Sequence, residues 1–287
     1  MAVKLLTIKD IRLYLEKELS NIYDANEAAS LFRIILKTIF KPYGLHKIYD
    51  PQFRVDEAHS SEITGMVQEL KTGKPYQYVL GETEFFGFTI KVTPEVLIPR
   101  PETEELVDLV IRENKDFKGE IIDFGTGSGC IAIAIAGNIS GAAVTGVDIS
   151  EKALEIARLN ASLNNTEVSF EKNDILDFKP KGKKPGIIVS NPPYVRQSEK
   201  VSMRNNVLDF EPAQALFVDD SDPLVFYRKI LETANEILID GGKVYFEINE
   251  ALGIEILELF GSFGYKEKII IKDLNNRDRF AKAFKNE

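Results

Sequence analysis

The sequence GEIIDFGTGSGCIAIAIA, residues 119–136, joins an apolar strand to an apolar helix through a turn with three glycines. Gly125, Gly127 and Gly129 stand at alternate positions, which allows a sharp turn and lets a ligand approach the main chain without meeting Cβ atoms. The start of the following helix offers free N–H groups to the same ligand. A plain strand-to-helix turn would also explain the glycines, so this loop needs support from the rest of the chain.

The spacing of the glycines excludes two common nucleotide-binding loops. A dinucleotide loop needs the pattern G-x-G-x-x-G, but position 130 is Cys130 and the third glycine comes one residue early. A Walker loop needs Gly-Lys-Ser/Thr, which is absent. The spacing instead resembles the cofactor loop of class I S-adenosylmethionine (SAM) methyltransferases.

The chain changes its pattern twice. From Pro101 onward, apolar strands and helices alternate, which predicts a doubly wound α/β sheet. The segment YQYVLGETEFFGFTIKV, residues 76–92, is aromatic and β-branched with Gly81 and Gly87 as turn points, which predicts a hairpin. We therefore divide the chain into a helical domain (1–73), a β-hairpin connector (74–93) and an α/β domain (94–287).

The first 73 residues predict helices only. Their starts carry helix-capping residues, and their ends carry glycine or proline. The predicted helices run from a Thr7 cap to about Asn21, from a capping box at Asp24 and Glu27 to a point before Pro42, and from Ser60 or Ser61 to Gly73.

Composition limits the class of protein. With 44% hydrophobic and 28% charged residues, the chain is typical of a soluble globular protein. No run approaches the roughly 18 apolar residues of a membrane span, and the apolar run in the start MAVKLLTIKD is too short for a signal peptide. The formal charge of −9 disfavours binding to a nucleic-acid backbone through the whole surface. We expect a cytoplasmic protein that contacts neither membrane nor DNA.

Cysteine and histidine are scarce. Cys130 is the only cysteine, and His46 and His59 are the only histidines. These counts predict no disulfide, no metal site and no histidine-driven acid–base chemistry. An enzyme built on this chain would therefore depend on a cofactor or on positioning.

Acidic residues follow the next two strands. The strand AAVTGVDIS ends in Asp148, and an acid at this place can accept from both ribose hydroxyls of a nucleoside. Because Ser150 already caps the next helix, we interpret Asp148 as a ligand-binding residue. The strand EVSFEKNDIL ends near Asp174 and Ile175, where an acid can accept from an adenine amino group while an apolar neighbour packs on the ring. Taken alone, this last pair is only a turn.

The fourth strand, in PGIIVSNPPYV, ends in two prolines that provide no N–H donor and cannot extend a sheet ladder. Most Asn-Pro pairs are plain turns. Here, however, the turn follows the same sheet edge as the loop and the acids. The side-chain oxygen of Asn191 and a free carbonyl on Pro192 or Pro193 are two fixed acceptors, which match the two N–H donors of a planar –NH₂ group. Tyr194 adds a flat face for stacking.

With these residues in place, the sequence resembles the PrmC/HemK family, the peptide chain release factor glutamine methyltransferases. The resemblance implies an α/β fold of the class I SAM-methyltransferase type, which is Rossmann-like and has a mainly parallel seven-stranded sheet. An N-terminal helical substrate-recognition domain precedes it in the sequence. It covers nearly all of residues 76–287. Its segments are VLIPRPETEELV (96–107), DFGTGSGCIAIAIA (123–136), VDIS (147–150), SNPPY (190–194), FEPAQAL (210–216), GGKVYFEI (241–248) and KDLNNRDRFAKA (272–283).

The resemblance implies transfer of a methyl group from SAM to the side-chain nitrogen of the glutamine in the Gly-Gly-Gln motif of class 1 release factors. The release factor is the implied partner, and a monomer is expected. Ile175 stands where many members carry an aromatic residue, so adenine should be held more loosely. The candidate cofactor-binding residues are Gly125, Thr126, Gly127, Ser128, Gly129, Asp148, Asp174, Ile175 and Asn191, and the candidate catalytic residues are Asn191, Pro192, Pro193 and Tyr194.

Two questions stay open at this level. Methylation of a ribosomal-protein glutamine would use the same residues, and an adenine-N6 DNA methyltransferase uses a similar turn, although the charge of −9 argues against DNA. A SAM-binding module without catalysis would not need the intact motif at 191–194.

The segment IPRPETEEL also has two interpretations. Pro101 and the acidic residues after it favour the start of a helix, while the family resemblance suggests that Arg100 and Glu102 border the active cleft.

Overall fold

The computed structural model describes residues 5–44, 49–178 and 184–286. The chain forms two compact units. The first comprises residues 1–81 and 204–210, and the second comprises residues 82–203 and 211–287. The second unit therefore contains the hairpin as well as the α/β sheet.

The first unit is helical, and two of its predicted helix starts are confirmed. The Thr7 hydroxyl accepts from the Asp10 N–H, and Asp24 accepts from the N–H groups of Asn26 and Glu27. Leu, Ile and Phe side chains from α1, α2 and α3 form one buried cluster. The helices are α1 (Ile8–Leu19), α2 (Ala25–Ile39), α3 (Glu57–Leu70), α4 (Tyr76–Leu80) and, later in the chain, α8 (Asn205–Phe210).

The predicted start of the third helix at Ser60 or Ser61 is wrong. The helix begins at Glu57, because Asp56 is the N-cap and accepts from the His59 N–H. Ser60 lies one turn inside the helix, where its buried hydroxyl accepts from the Leu5 N–H at 2.9 Å. His59 stacks on Phe40 and its Nδ1 lies 2.7 Å from Asp56, while His46 lies outside the described residues.

The predicted hairpin over 76–92 is wrong for its first five residues. Tyr76–Leu80 forms helix α4, because Tyr76, Val79 and Leu80 recur at helical spacing and pack against the helical cluster. Gly81 ends the helix with φ +71°. The hairpin follows as β1 (Glu82–Phe85) and β2 (Phe88–Lys91), which pair antiparallel around a two-residue turn.

Two asparagines bind the free edge of the hairpin to helix α7 (Glu151–Leu163). Asn160 accepts from the Lys91 N–H at 2.7 Å and donates to the Lys91 carbonyl at 3.0 Å. Asn164, at the end of that helix, does the same with Thr89. The side-chain amides thus replace a neighbouring strand, which satisfies main-chain groups that an open edge would leave bare.

The predicted α/β fold is confirmed. A seven-stranded sheet has the order β10-β11-β9-β6-β3-β4-β5. The strands from β9 to β5 in that order run parallel, and β11 pairs antiparallel with both β9 and β10. The strands are β3 (Glu120–Phe124), β4 (Ala143–Asp148), β5 (Val168–Lys172), β6 (Ile187–Ser190), β9 (Lys243–Glu247), β10 (Lys266–Lys272) and β11 (Asp278–Phe284), with a separate two-stranded pair of β7 (Val195–Arg196) and β8 (Phe217–Val218).

Helices connect the strands and cover the sheet. A second buried cluster packs Phe124, Phe246 and other strand side chains against α10 and α11. Because the five parallel strands share one direction, their carboxyl ends lie along a single edge of the sheet. The remaining helices are α5 (Pro101–Glu113), α6 (Cys130–Asn138), α7, α9 (Ala213–Leu216), α10 (Val225–Ile237) and α11 (Gly253–Ser262).

The described residues contain neither a membrane-spanning helix nor a cluster of metal-ligating side chains. No helix within 5–44, 49–178 and 184–286 is long and apolar enough to cross a membrane. In the same ranges, no group of three or more His, Cys, Asp or Glu side chains is arranged to hold a metal ion.

Candidate active site

The glycine loop, residues 125–129, leaves β3 in a conformation that favours glycine. Its three glycines have φ values of +72°, +54° and +80°. A Cβ atom on Gly129 would lie 3.0 Å from the Cβ of Ala157, so even a methyl group at this position would crowd α7. The N–H groups of Gly125 and Thr126 both donate to the Val147 carbonyl, which fixes the loop against β4.

The two polar side chains of the glycine loop point inward. Thr126 and Ser128 are buried, and the Thr126 hydroxyl donates to Asp123 Oδ2 at 2.6 Å. Burial raises the pKa of Asp123 to about 7. The Ser128 carbonyl accepts from Asn160, the residue that also holds the hairpin. Thr126 and Ser128 therefore shape the loop from behind, and only its main chain faces a ligand.

Asp148 supports the same loop from the tip of β4. Its Oδ2 accepts from the Gly127 N–H at 2.8 Å, and its Oδ1 accepts from the Ser150 N–H at 2.9 Å. The Ser150 hydroxyl caps α7 as predicted. Burial raises the pKa of Asp148. Because a carboxylate has about four acceptor positions, two main-chain bonds leave room for two hydroxyl donors.

The end of β5 contributes one polar and one apolar group. Asp174 Oδ1 accepts from the Leu176 N–H, which caps the short 3₁₀ helix Ile175–Asp177. Ile175 is buried and belongs to the core cluster. A Cβ on Gly125 would lie 3.7 Å from its Cδ1, so Ile175 borders the glycine loop directly.

These groups line one cleft at the carboxyl edge of the sheet. Seven of the predicted site residues border it: Gly125, Gly127, Asp148, Asp174, Ile175, Asn191 and Pro193. The other predicted residues, Thr126, Ser128, Gly129, Pro192 and Tyr194, are not in its lining. The cleft is completed by residues that the sequence did not single out as site residues, namely Glu95, Val96, Leu97, Ile149, Ser150, Ala153, Leu176, Pro212, Gln214, Ala215 and Phe226.

The NPPY elbow, residues 191–194, is held by hydrogen bonds to distant side chains. Asn191 Nδ2 donates to Thr103 Oγ1 at 3.2 Å, and Thr103 Oγ1 donates to Glu247 Oε2 at 2.7 Å. The Tyr194 hydroxyl donates to the other oxygen of the same carboxylate, Glu247 Oε1, at 2.9 Å. The first and last residues of the elbow are thus fixed by one acid.

Glu247 lies at the end of β9 inside the protein. Burial raises its pKa, while the hydrogen bonds from Thr103 and Tyr194 and the nearby Arg279 act in the opposite direction. Burial and the proximity of Glu247 raise the pKa of Tyr194 well above its usual value, so the phenol stays a donor. Neither Thr103 nor Glu247 was predicted as a site residue. The available signal was an acid within the apolar strand sequence KVYFEI.

Arg100 borders the site indirectly. Its Nη2 lies 2.6 Å from Glu211 Oε1, and the other oxygen of Glu211 accepts from the Ile98 N–H at 3.3 Å. Glu211 directly precedes Pro212, which lines the cleft together with Gln214. Arg100 therefore anchors a wall of the cleft and does not face into it.

The chain is similar to known methyltransferases. The family model "Methyltransferase small domain" matches residues 103–215. A release factor glutamine methyltransferase from Flavobacterium psychrophilum is 42% identical over 280 residues, which is 96% of this chain and 98% of that protein. The chain belongs to the release factor glutamine methyltransferase family. The resemblance inferred from the sequence is thereby confirmed.

A second relative and a solved structure are also similar to this chain. The protein of the same name from Bacteroides thetaiotaomicron is 41% identical over 95% of this chain and 98% of its own length. Among solved structures, a methyltransferase from Pyrococcus furiosus aligns with a TM-score of 0.52 at 22% identity, covering 70% of this chain and 91% of the other. The relatives match both units, whereas the solved structure supports the fold alone.

Proposed function

We propose that this protein transfers the methyl group of SAM to the side-chain amide nitrogen of the glutamine in the Gly-Gly-Gln motif of class 1 release factors. The observation that carries the proposal is the state of Asn191. Its Nδ2 is committed to Thr103, so its Oδ1 remains as an acceptor on the cleft wall. A second acceptor is available from the main-chain carbonyls of Pro192 or Pro193, since proline residues keep their carbonyl groups.

The cofactor half of the cleft suits a nucleoside. The main chain at Gly125 and Gly127 borders the cleft without side chains, and Asp148 keeps two acceptor positions for ribose hydroxyls. Asp174 Oδ2 is available to an adenine amino group, because only Oδ1 serves the 3₁₀ helix. Ile175 supplies the apolar wall. These residues would hold SAM.

The residue types of the elbow follow from the reaction. SAM brings its own electrophile, a methyl group on a sulfonium, so no protein nucleophile is needed. Asn191 Oδ1 and a proline carbonyl accept the two N–H groups of the glutamine amide, which fixes the amide plane and turns its nitrogen toward the methyl group. As positive charge develops on that nitrogen, its N–H groups become stronger donors and both bonds strengthen. The proton leaves to water afterwards, and no general base is required.

The helical unit is the proposed recognition domain for the release factor, because the nucleoside-binding groups are complete without it. A groove on this unit is lined by Arg12, Arg33, Phe32 and Tyr49, with Tyr49 75% exposed. We expect Arg33→Glu with Tyr49→Ala to raise the KM for the release factor about tenfold while SAM affinity stays unchanged. Lys9→Glu, an exposed charge reversal outside the groove, is the matched control.

A cytoplasmic, monomeric enzyme that needs neither DNA nor a membrane fits this function, since release factors act in translation. Co-expression with a release factor tests the function. Intact mass should show one added methyl group, and fragmentation should place it on the glutamine of the Gly-Gly-Gln motif. Radiolabelled SAM should label the release factor and neither ribosomal protein nor DNA. Label in a ribosomal protein alone would replace the proposal with its closest alternative.

A further inference from the structure

One buried carboxylate organises both ends of the elbow. Glu247 accepts from Thr103 with one oxygen and from Tyr194 with the other. Thr103 and Glu247 are only 3% and 1% exposed, so water does not substitute for these bonds. We propose that Glu247, acting through the Thr103 hydroxyl, is a positioning residue that sets the direction of the Asn191 amide. The inference rests on the proposed function, in which Asn191 Oδ1 accepts from the substrate amide.

The direction follows from counting protons. Both oxygens of Glu247 accept hydrogen bonds from hydroxyl groups, so the single proton of the Thr103 hydroxyl points to Glu247. Thr103 Oγ1 then has only lone pairs to offer Asn191, and these demand the donor side of the amide, Nδ2. If the Asn191 amide were reversed, its Oδ1 would face the lone pairs of Thr103 Oγ1 and the two atoms could form no hydrogen bond. Through these two hydrogen bonds, Glu247 determines that Oδ1 of Asn191 is the atom left free to accept.

The second oxygen of Glu247 fixes the other end. The Tyr194 hydroxyl donates to Oε1, and the Tyr194 ring packs against the core. With Asn191 and Tyr194 both held, the carbonyls of Pro192 and Pro193 between them have little freedom. The acceptor pair for a planar –NH₂ group is thus prepared before substrate arrives, which is the condition for a large transition-state contribution.

Only an acid meets both demands. The amide of a Gln at position 247 would accept with its oxygen and donate with its nitrogen, so one of the two hydroxyls would lose its acceptor. If that hydroxyl is Thr103, its proton becomes free to turn toward Asn191 and to favour the reversed amide. The residue pair at 103 and 247 therefore matters for function beyond its contribution to stability.

Thr103→Val tests the relay, because it removes the hydroxyl and keeps the shape. We expect single-turnover methyl transfer at saturating SAM to fall about 10–100-fold. The Kd for SAM and the KM for the release factor should each stay within about twofold, because Thr103 is buried and does not line the cleft. Thr103→Ser should restore most of the rate. Thr166→Val, a matched change away from the cleft, controls for the substitution itself.

A double-mutant cycle separates positioning from general damage. In an Asn191→Ala background, Thr103→Val should cost less than about twofold, because the amide that it orients is gone. Additive losses, or equal losses in Thr103→Val and Thr103→Ser, would overturn the inference. Glu247→Gln should behave like Thr103→Val, and if it fails to fold the Thr103 variants still decide the question.

A spectroscopic readout distinguishes this inference from the proposed function. The side-chain ¹⁵N–¹H signals of Asn191, identified by their loss in Asn191→Ala, report the bond from Nδ2 to Thr103 without any protein substrate. We expect Thr103→Val to shift these signals and to speed their exchange with water, and Thr103→Ser to preserve them. Unchanged signals in Thr103→Val would sink the relay. A wild-type protein that leaves release factors unmethylated would instead contradict the proposed function.

Discussion

The two halves of the cleft are built by different means. The glycine loop presents main-chain atoms to the cleft, and its N–H groups bond to the Val147 carbonyl and to the Asp148 carboxylate. The NPPY elbow depends on side chains, through a chain of hydrogen bonds from Asn191 to Thr103 and Glu247. The first half is local in sequence, whereas the second joins residues up to 144 positions apart.

This difference has a chemical reason. A cofactor that supplies its own electrophile must be held in place, and main-chain groups of a rigid loop do this for a nucleoside. The NPPY elbow must instead orient the plane of one substrate amide so that both of its N–H groups meet an acceptor. This needs side chains whose own directions are fixed by further hydrogen bonds. We therefore expect damage to one half of the cleft to leave the other half working.

The largest effect is expected at the elbow. Asn191→Ala removes one of the two amide acceptors, and loss of one preorganised transition-state hydrogen bond costs on the order of 10²–10³ in rate. SAM affinity should change little, because the glycine loop and Asp148 keep their bonds. Single-turnover methyl transfer and calorimetric titration with SAM measure the two quantities. Asn191→Asp keeps an acceptor but loses the donor to Thr103, so its rate should fall between those of Ala and wild type.

A smaller effect is expected in the cofactor half. Asp148→Ala should weaken SAM binding by about 1.5–3 kcal/mol, because two charge-assisted hydrogen bonds to the ribose are lost. Calorimetry on purified protein measures the change. Glu171→Ala, an exposed acid on the neighbouring strand β5, is the control and should leave SAM affinity unaltered. Equal affinity of Asp148→Ala and wild type would remove Asp148 from the site.

The smallest effect concerns the shape of the loop. Gly129→Ala combines a φ of +80° with a Cβ approach of 3.0 Å to Ala157, whereas Gly241→Ala has a φ of +70° and no atom within 4 Å. Both changes strain the backbone by about 1 kcal/mol, and Gly129→Ala should cost roughly a further 1 kcal/mol through crowding. Denaturant unfolding of the two variants compares them. Equal losses of unfolding free energy would show that the close approach to α7 does not matter.

The same division explains what the sequence could predict. The glycine loop, Asp148, Asp174 and Asn191 follow strand ends at short spacings, so a local pattern brings them to one edge of the sheet. Thr103 and Glu247 could not be found in this way, because their contact depends on how α5 and β9 meet in space. Glu211 shows the same limit, since its ion pair with Arg100 spans 111 positions.

Two local predictions failed for a related reason. The aromatic and β-branched side chains of residues 76–80 favour a strand when this segment is considered alone. Tyr76, Val79 and Leu80 pack against the helical cluster, and this packing stabilises helix α4 instead. Ser60 is a good N-cap residue that is used elsewhere, for the Leu5 N–H, while Asp56 caps the helix. In both places a tertiary contact outweighs a local preference.

The independence of the two halves is tested most directly by the single-turnover rate of methyl transfer to a release factor, measured as a function of SAM concentration. In Asp148→Ala the rate should be low at limiting SAM and should rise to near the wild-type plateau as SAM approaches saturation. In Asn191→Ala the plateau itself should stay about 10²–10³ below wild type at every SAM concentration. An Asn191→Ala plateau that recovers with SAM would contradict the account, because the elbow would then act through the cofactor and not through the amide.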